Sequence, residues 1–306
     1  MPIIMLPSPV TPETHVLVDA DGVAHEFTGL NGFAVAVGSS FGQMGRFRAP
    51  VTVMEDQIPI YRGSRVRGVK EQASTMTIPI WIFGETAAQR HGRMRELVRW
   101  MRTPHGYPAT WRNTSIDGVT RETPVYYAGG LEGDESMSAV NQQSALVTVD
   151  LLAPDGCWYD ATEMLETFTL ADVPVASFFK TPFFPIRLSS STVLSDTTVN
   201  NNGDLEAWPI WTITGPGGPS IVLRNVTTDA VTTITRTLTG AQQIIVDTRP
   251  GYKTATDGLG TSLYSALNGS EMWSLARGLN RIQVEVSSAT ADTVVEMAYK
   301  RAWNSP

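Results

Sequence analysis

Residues 75–83 read Thr75-Met76-Thr77-Ile78-Pro79-Ile80-Trp81-Ile82-Phe83, with large aliphatic side chains at every second position. Successive side chains of a β-strand point to opposite faces of the sheet, so a period of two predicts a strand with one face committed to a core. That face carries Met76, Ile78, Ile80 and Ile82. The first part of the chain is therefore predicted to be built around a β-sheet.

One amphipathic helix is predicted directly after this strand, at about residues 85–102. Its apolar side chains recur at helical spacing, at Met94, Leu97, Val98 and Met101. Five arginines occupy most of the remaining surface: Arg90, Arg93, Arg95, Arg99 and Arg102. We expect the apolar stripe of this helix to pack against the aliphatic face of the preceding strand.

Further strands are predicted on both sides of this strand and helix. Residues 14–18 and 23–27 flank Asp21-Gly22, a dipeptide that readily forms the tight turn of a β-hairpin. A long basic excursion is predicted at residues 38–70, with Arg46, Arg48, Arg62, Arg65, Arg67 and Lys70. These cations either lie at a solvated loop tip or contact an acidic neighbouring subunit, and the sequence leaves both alternatives open.

The chain is predicted to divide into a first domain at residues 1–160, a connector at 161–180 and a second domain at 181–306. The connector loses periodicity and carries one strand-like piece around Phe168. Short strands separated by turn residues then follow, at residues 208–214, 220–226, 232–238, 243–248, 281–286 and 294–303. Such a series without a helix predicts an antiparallel β-sandwich.

Composition excludes several classes of protein. The formal net charge of −7 argues against general affinity for nucleic acid, which depends on Lys and Arg neutralising phosphates. Cys157 is the only cysteine, so no disulfide can form within one chain, which fits folding in a reducing cytosol. No apolar stretch approaches the roughly 18 residues of a membrane span, and the first residues do not resemble a signal peptide.

No catalytic, cofactor or metal site is predicted. The four histidines share no metal-ligand spacing, and residues 38–45 are glycine-rich without a phosphate-binding motif. Two alternatives remain open in the second domain. A glycosidase would need a carboxylate pair from among Asp247, Asp257, Glu271 and Asp292. A carbohydrate-binding or partner-binding platform would use the aromatic rings of Trp208, Trp211, Tyr264 and Trp273.

The second domain carries a series of motifs that together resemble the distal tail proteins of long-tailed bacteriophages. They are Asn200-Asn201-Asn202-Gly203-Asp204, Trp208-Pro209-Ile210-Trp211, Ile213-Thr214-Gly215-Pro216, Asn225-Val226-Thr227-Thr228, Ile245-Val246-Asp247-Thr248-Arg249-Pro250-Gly251 and Gly269-Ser270-Glu271-Met272-Trp273-Ser274-Leu275-Ala276-Arg277-Gly278-Leu279-Asn280. The resemblance is looser in the first domain, where it rests on the long excursion, the strand, the helix and the closing Asp155-Gly156-Cys157-Trp158-Tyr159-Asp160.

This resemblance implies a tail-tube-like domain that forms a ring, six copies in number, followed by a peripheral galectin-like sandwich. It also implies a structural role in the virion, at the junction between the tail tube and the tail tip or baseplate, after assembly in the host cytoplasm. The implied partners are other copies of the chain, the tail tube protein, the tip or baseplate hub protein, and the tape measure protein. The alternative from another class is a carbohydrate-binding module that recognises glycans of the host surface.

Overall fold

The computed structural model describes residues 13–36, 43–57, 62–132, 143–170 and 193–306. Most of the glycine-rich segment, the second half of the predicted connector and the start of the predicted second domain lie outside these residues. The chain divides into two compact units, Met1–Ala161 with Trp303–Pro306, and Thr162–Ala302. The described residues are mainly β with a single α-helix, so the predicted fold class is confirmed.

Unit 1 is organised by one large antiparallel sheet, in which the strands follow the order β2-β1-β7-β8-β9-β6-β3. Its strands are β1 (Thr14–Val18), β2 (Ala24–Glu26), β3 (Phe33–Val35), β6 (Ser74–Phe83), β7 (Ala109–Thr114), β8 (Thr120–Gly129), β9 (Ser144–Ala153) and β10 (Trp158–Asp160). The predicted first hairpin is confirmed: Gly22 has a φ of 83°, and Asp19 Oδ1 accepts hydrogen bonds from the amides of Asp21 and Val23.

The helix α1 (Ala87–Trp100) follows β6 as predicted. It begins after Thr86, whose hydroxyl accepts a hydrogen bond from the Gln89 amide at 3.2 Å and so satisfies one of the free amides of the first turn. Leu97 and Met101 are buried in one hydrophobic cluster with Ile78, Ile80 and Ile82, and Met94 packs against the same cluster. The predicted packing of the helix on the aliphatic face of β6 is confirmed for Met94, Leu97 and Met101. Val98 is instead 51% exposed, and Arg90, which was predicted at the surface, is buried.

The second half of the predicted basic excursion is a β-hairpin rather than a loop. It consists of β4 (Val51–Gln57) and β5 (Ser64–Glu71), which form a two-stranded sheet of their own. A β-bulge at Arg67 shifts the register, because Met54 pairs with Gly68 while Glu55 pairs with Val66. Both faces of the hairpin are exposed, so its sequence lacks the alternation between apolar and polar residues that marks a half-buried strand.

Unit 2 contains two antiparallel sheets, with the strand orders β11-β19-β13-β16-β17 and β12-β18-β14-β15. The strands are β11 (Met164–Thr169), β12 (Val193–Asn201), β13 (Ile210–Thr214), β14 (Ser220–Asn225), β15 (Ala230–Thr235), β16 (Gln243–Asp247), β17 (Thr254–Asp257), β18 (Gly278–Val286) and β19 (Val294–Tyr299), with a 3-10 helix at Tyr264–Leu267. The last strand, β20 (Ala302–Trp303), belongs to the large sheet described above. One buried cluster joins the inner faces of both sheets, with Trp211 and Ile244 from the first and Leu223 and Val284 from the second. Unit 2 is therefore a β-sandwich.

Replacing Leu97 by Ala should lower the free energy of unfolding of unit 1 by about 2–5 kcal/mol, because the change removes buried methyl groups and leaves a cavity. Leu97 is fully buried, whereas Leu30 is 95% exposed, so Leu30→Ala is the matched control and should leave stability almost unchanged. Urea denaturation followed by circular dichroism measures both. Equal stabilities for the two variants would show that β6 and α1 do not share a core.

Candidate functional site

The hairpin β4–β5 presents two chemically different faces. Residues at alternate positions of β4 share a face with their cross-strand partners on β5. One face, called here the Val face, combines four valines with two carboxylates: Val51, Val53, Val66, Val69, Glu55 and Glu71. The opposite face is polar and more basic, with Thr52, Met54, Asp56, Arg65 and Lys70.

The Val face is accessible to solvent over its whole length. The exposed fractions of Val51, Val53, Val66 and Val69 are 43%, 48%, 56% and 58%. A two-stranded hairpin on its own is marginally stable in water, and a contiguous exposed apolar patch on a soluble protein usually marks an interaction surface. The hairpin is therefore the strongest candidate for a binding element among the described residues.

Five of the six predicted basic residues lie in three environments on the hairpin or at its base. Arg62, Arg65 and Lys70 are exposed on the hairpin, at its tip or on its polar face. Arg67 lies in the bulge and forms an ion pair with Asp56. The side chain of Arg48 is 67% exposed at the base of the hairpin, with Nη2 at 3.8 Å from Oε1 of Glu71.

Arg46 does not belong with the exposed basic residues of the hairpin, because it is part of a polar cluster in the body of unit 1. Its side chain is only 13% exposed and forms a bidentate ion pair with Glu13, which also accepts a hydrogen bond from Asn113 at 2.9 Å. The Arg46 carbonyl accepts a hydrogen bond from Nε1 of Trp158 at 2.7 Å. These contacts fix the chain before β4 begins, so Arg46 positions the base of the hairpin.

His15 lies inside the same cluster. Its ring is 3% exposed, stacks on Trp111 with ring centroids 5.8 Å apart, and its Nε2 lies 3.0 Å from Nε2 of Gln43. Burial lowers the pKa of His15 to about 4, although the nearby Glu13 carboxylate acts in the opposite direction. His15 is therefore neutral in the folded protein.

The four candidate aromatic residues do not form one platform. Trp211 and Trp273 are buried in the sandwich core with ring centroids 5.5 Å apart, and Trp273 Nε1 donates a hydrogen bond to the Leu223 carbonyl. Their predicted role in a glycan contact is corrected to core packing. Trp208 is half-buried, with Lys253 Nζ 5.5 Å from its ring centroid, and Tyr264 is 57% exposed.

Three asparagines that carry the sequence resemblance are fully buried in unit 2. Asn225 Nδ2 donates to Asn280 Oδ1 at 3.0 Å, and Asn280 Nδ2 donates to the carbonyls of Ala276 and Gly278. Asn201 Nδ2 donates to the carbonyls of Leu205 and Leu275. These amides hydrogen-bond to backbone carbonyls of residues 205, 275, 276 and 278, so the motifs serve the fold of the sandwich.

Two of the four candidate carboxylates, Asp257 and Asp247, are held by hydrogen bonds within their own short segments of unit 2. Hydrogen bonds from the Thr261 and Leu259 amides lower the pKa of Asp257, as expected for a turn-capping carboxylate and opposite to a general acid. Asp257 is the only acidic residue that lines the adjacent cavity of about 320 Å³. Asp247 is held by a bidentate ion pair with Arg249. The described residues contain no group of three or more His, Cys, Asp or Glu side chains that could hold a metal ion.

No helix among the described residues meets the length and hydropathy needed to cross a bilayer. Comparison with known proteins found no matching family model and no matching curated protein. Solved structures do match. The crystal structure of the phage SPP1 Dit (gp 19.1) protein, described as a paradigm of the hub adsorption apparatus of phages that infect Gram-positive bacteria, aligns with 95% of this chain and 99% of its own length. The TM-score is 0.63 and the identity 14%.

Two structures of the phage P2 baseplate in its activated conformation, with Ca and with Sr, also contain a matching chain. Their TM-scores are 0.57 and 0.55, at 12% and 11% identity, and each match covers 95% of this chain and 98% of the other. At these identities the likeness establishes a shared fold. It extends over nearly the whole chain, so both units of this protein have counterparts in those structures.

Asn280→Ala should destabilise unit 2 by about 1–3 kcal/mol, because the change removes the buried hydrogen bonds of the Asn280 side chain to Ala276, Gly278 and Asn225. The matched control is Asn202→Ala, which removes the same group from an exposed position. Thermal unfolding of both variants measures the effect. An Asn280 variant as stable as the Asn202 variant would show that the buried amide network contributes nothing.

The stability of unit 1 should fall as the pH decreases from about 6.5 towards 4. Since the folded-state pKa of His15 is lowered from 6.5 to about 4, the unfolded chain binds its proton first, and protonation favours unfolding in this window. The expected loss between pH 7.5 and pH 5 is about 1–2 kcal/mol. Urea denaturation at both pH values measures it, and His15→Gln should lose less. The same pH dependence in both proteins would assign it to other groups.

Proposed function

We propose that this chain is a structural protein of a virion, located at the distal end of a long non-contractile phage tail. Copies of the chain form a closed ring, hexameric as the sequence resemblance implies, that joins the tail tube to the tip or baseplate. Two independent observations support the proposal. The fold resembles phage hub and baseplate proteins over nearly the whole chain, and unit 1 carries a detached hairpin with an uncovered apolar face.

The hairpin is the single feature that carries the assembly proposal. A hairpin that buries neither face within its own chain gains stability when a neighbouring molecule covers its Val face. An interface between two different surfaces of identical chains is heterologous, and it produces a ring whenever the rotation between neighbours closes. One hairpin per copy therefore suffices to link each subunit to the next around an axis.

We assign ring assembly to residues 1–160, with a connector at 161–180 and a galectin-like sandwich at 181–306. The exposed cations Arg62, Arg65 and Lys70 lie at the hairpin tip or on the face opposite the Val face, so that face can meet an acidic surface of the tail tube, the tip hub or the tape measure protein. The role requires no reaction and no cofactor. Assembly takes place in the host cytoplasm before the protein reaches its place in the virion.

The alternative of a carbohydrate-binding sandwich is weaker than the architectural role. Two of its four candidate rings, Trp211 and Trp273, lie in the core, and the ring of Trp208 already has the Lys253 ammonium group near it. A sugar platform needs an open aromatic face flanked by polar side chains that hydrogen-bond to hydroxyl groups. We therefore propose that unit 2 serves the architecture of the tail rather than strong binding of free sugar.

Replacing Val53 and Val69 by Asp should reduce the assembled protein to single chains, because two charges would then lie at the centre of the apolar contact. Size-exclusion chromatography with light scattering measures the mass. The control is Met54→Asp, which adds a charge to the opposite face at a side chain of similar exposure, 51%. Assembly of the double variant at the wild-type mass would contradict a role for the Val face in the ring.

A further inference from the structure

A row of arginines on α1 has no ionic partner in the described part of the chain. Arg95 and Arg99 are exposed, Arg102 follows just past the end of the helix, and Val98 lies between them with 51% of its side chain exposed. Spacings of three, four and seven residues place these side chains on one side of the helix, together with Gly92. We call Gly92, Arg95, Val98, Arg99 and Arg102 the α1 stripe.

The charge of the α1 stripe is not balanced locally. Within residues 13–36, 43–57, 62–132, 143–170 and 193–306, no ion pair involves Arg95, Arg99 or Arg102. Such a concentration of free guanidinium groups is unusual in a chain whose net charge is −7. Arginine is also the cation that best suits a protein interface, because its planar fork binds carboxylates through two hydrogen bonds.

Gly92 gives a second, independent indication that something packs on this stripe. Glycine is the least favourable helix residue after proline, and no atom lies within 4 Å of the position that a Cβ would occupy at Gly92. Nothing within the described chain therefore requires a glycine there. A glycine allows the backbone of another molecule to approach the helix closely. Such a contact involves a second molecule and is therefore not visible in a single chain.

The Val face of the hairpin complements the α1 stripe in both charge and polarity. Glu55 and Glu71 lie four residue steps apart along the hairpin, about 13 Å at the rise of a strand. Arg95 and Arg102 are seven residues apart, about 10.5 Å at the rise of a helix, and long arginine side chains span the difference. The valines between the two glutamates would then lie against Val98 and Gly92.

We propose that the Val face of one copy docks on the α1 stripe of the next copy. The proposal rests on the proposed ring and names the surface that receives the hairpin. The two surfaces form no ion pair with each other within the described chain, although Arg48 lies near Glu71. Because each copy offers one hairpin and one stripe, docking leaves a free hairpin and a free stripe at the ends of any open assembly, and closure of the ring satisfies both.

Charge reversal with mutual rescue tests this pairing. Arg95→Glu with Arg102→Glu should lower the assembled fraction at least tenfold, and so should Glu55→Arg with Glu71→Arg. An equimolar mixture of the two double variants should assemble only as an alternating ring, which an even number of copies permits. The quadruple variant tests the same pairing with a single kind of chain. It should assemble again, because every stripe then meets a hairpin of opposite charge. The control is Arg277→Glu, an exposed arginine of unit 2, which should assemble as the wild type does.

Gly92→Ala supplies a test that does not change charge. The variant should melt at the wild-type temperature or above as a single chain, because alanine favours the helix and meets no atom of its own chain, and it should assemble less well. Assembly of the Gly92 variant at the wild-type level would contradict close approach at this position. Circular dichroism of every variant confirms that a loss of assembly is not a loss of fold.

Several outcomes would overturn the inference. If the Val53 and Val69 variant disrupts assembly while reversal at Arg95 and Arg102 does not, the ring remains and the α1 stripe is not its receiving surface. If neither disrupts assembly, the proposed function fails as well. Failure of the quadruple variant to assemble would exclude this pairing. If the wild type binds a double-stranded DNA oligonucleotide, and reversal at Arg95 and Arg102 abolishes that binding without affecting assembly, the stripe is a polyanion site instead.

Discussion

The aliphatic face of β6, packed beneath α1, is the contact on which unit 1 depends. Ile80 and Leu97 are both fully buried there, and the same cluster extends through Leu17 and Trp111 to the other half of the sheet. This packing determines which side of the helix faces inward, and hence which side carries the α1 stripe outward. The candidate interface is thus a consequence of the core, because any rotation of α1 that buried the arginines would uncover Leu97.

Local sequence patterns were sufficient to predict those strands and helices that bury only one of their faces. The alternation at residues 75–83 and the helical spacing from Met94 to Met101 correspond to β6 and α1, since each element buries one face. The strands β4 and β5 left no such pattern, because neither face is buried within the chain. Strand β13 begins at Ile210 rather than at Trp208, since Pro209 has no amide hydrogen to donate to a ladder.

The candidate site was predicted only in part, because sequence proximity does not report tertiary partners. Arg46 and Arg48 look equivalent in the sequence, yet Arg46 is held by Glu13, 33 residues away, while Arg48 is mostly exposed. Trp211 lies in the predicted strand and is buried, but nothing local indicated that Trp273 would pack against it. The α1 arginines were visible in the sequence as an amphipathic pattern. Only the structure shows that Arg95, Arg99 and Arg102 form no ion pair within the described residues.

The composition of the Val face reconciles two requirements that oppose each other. A partner surface must be apolar enough to gain free energy on burial, whereas a long apolar edge exposed on a free chain invites aggregation. Glu55 and Glu71 on the same face, with Arg65 and Lys70 on the other, keep the hairpin soluble before assembly. The same glutamates would gain arginine partners at the α1 stripe of a neighbour. Residues that oppose indiscriminate association would thereby favour one specific partner, which is how a chain can remain soluble alone and still assemble in a single arrangement.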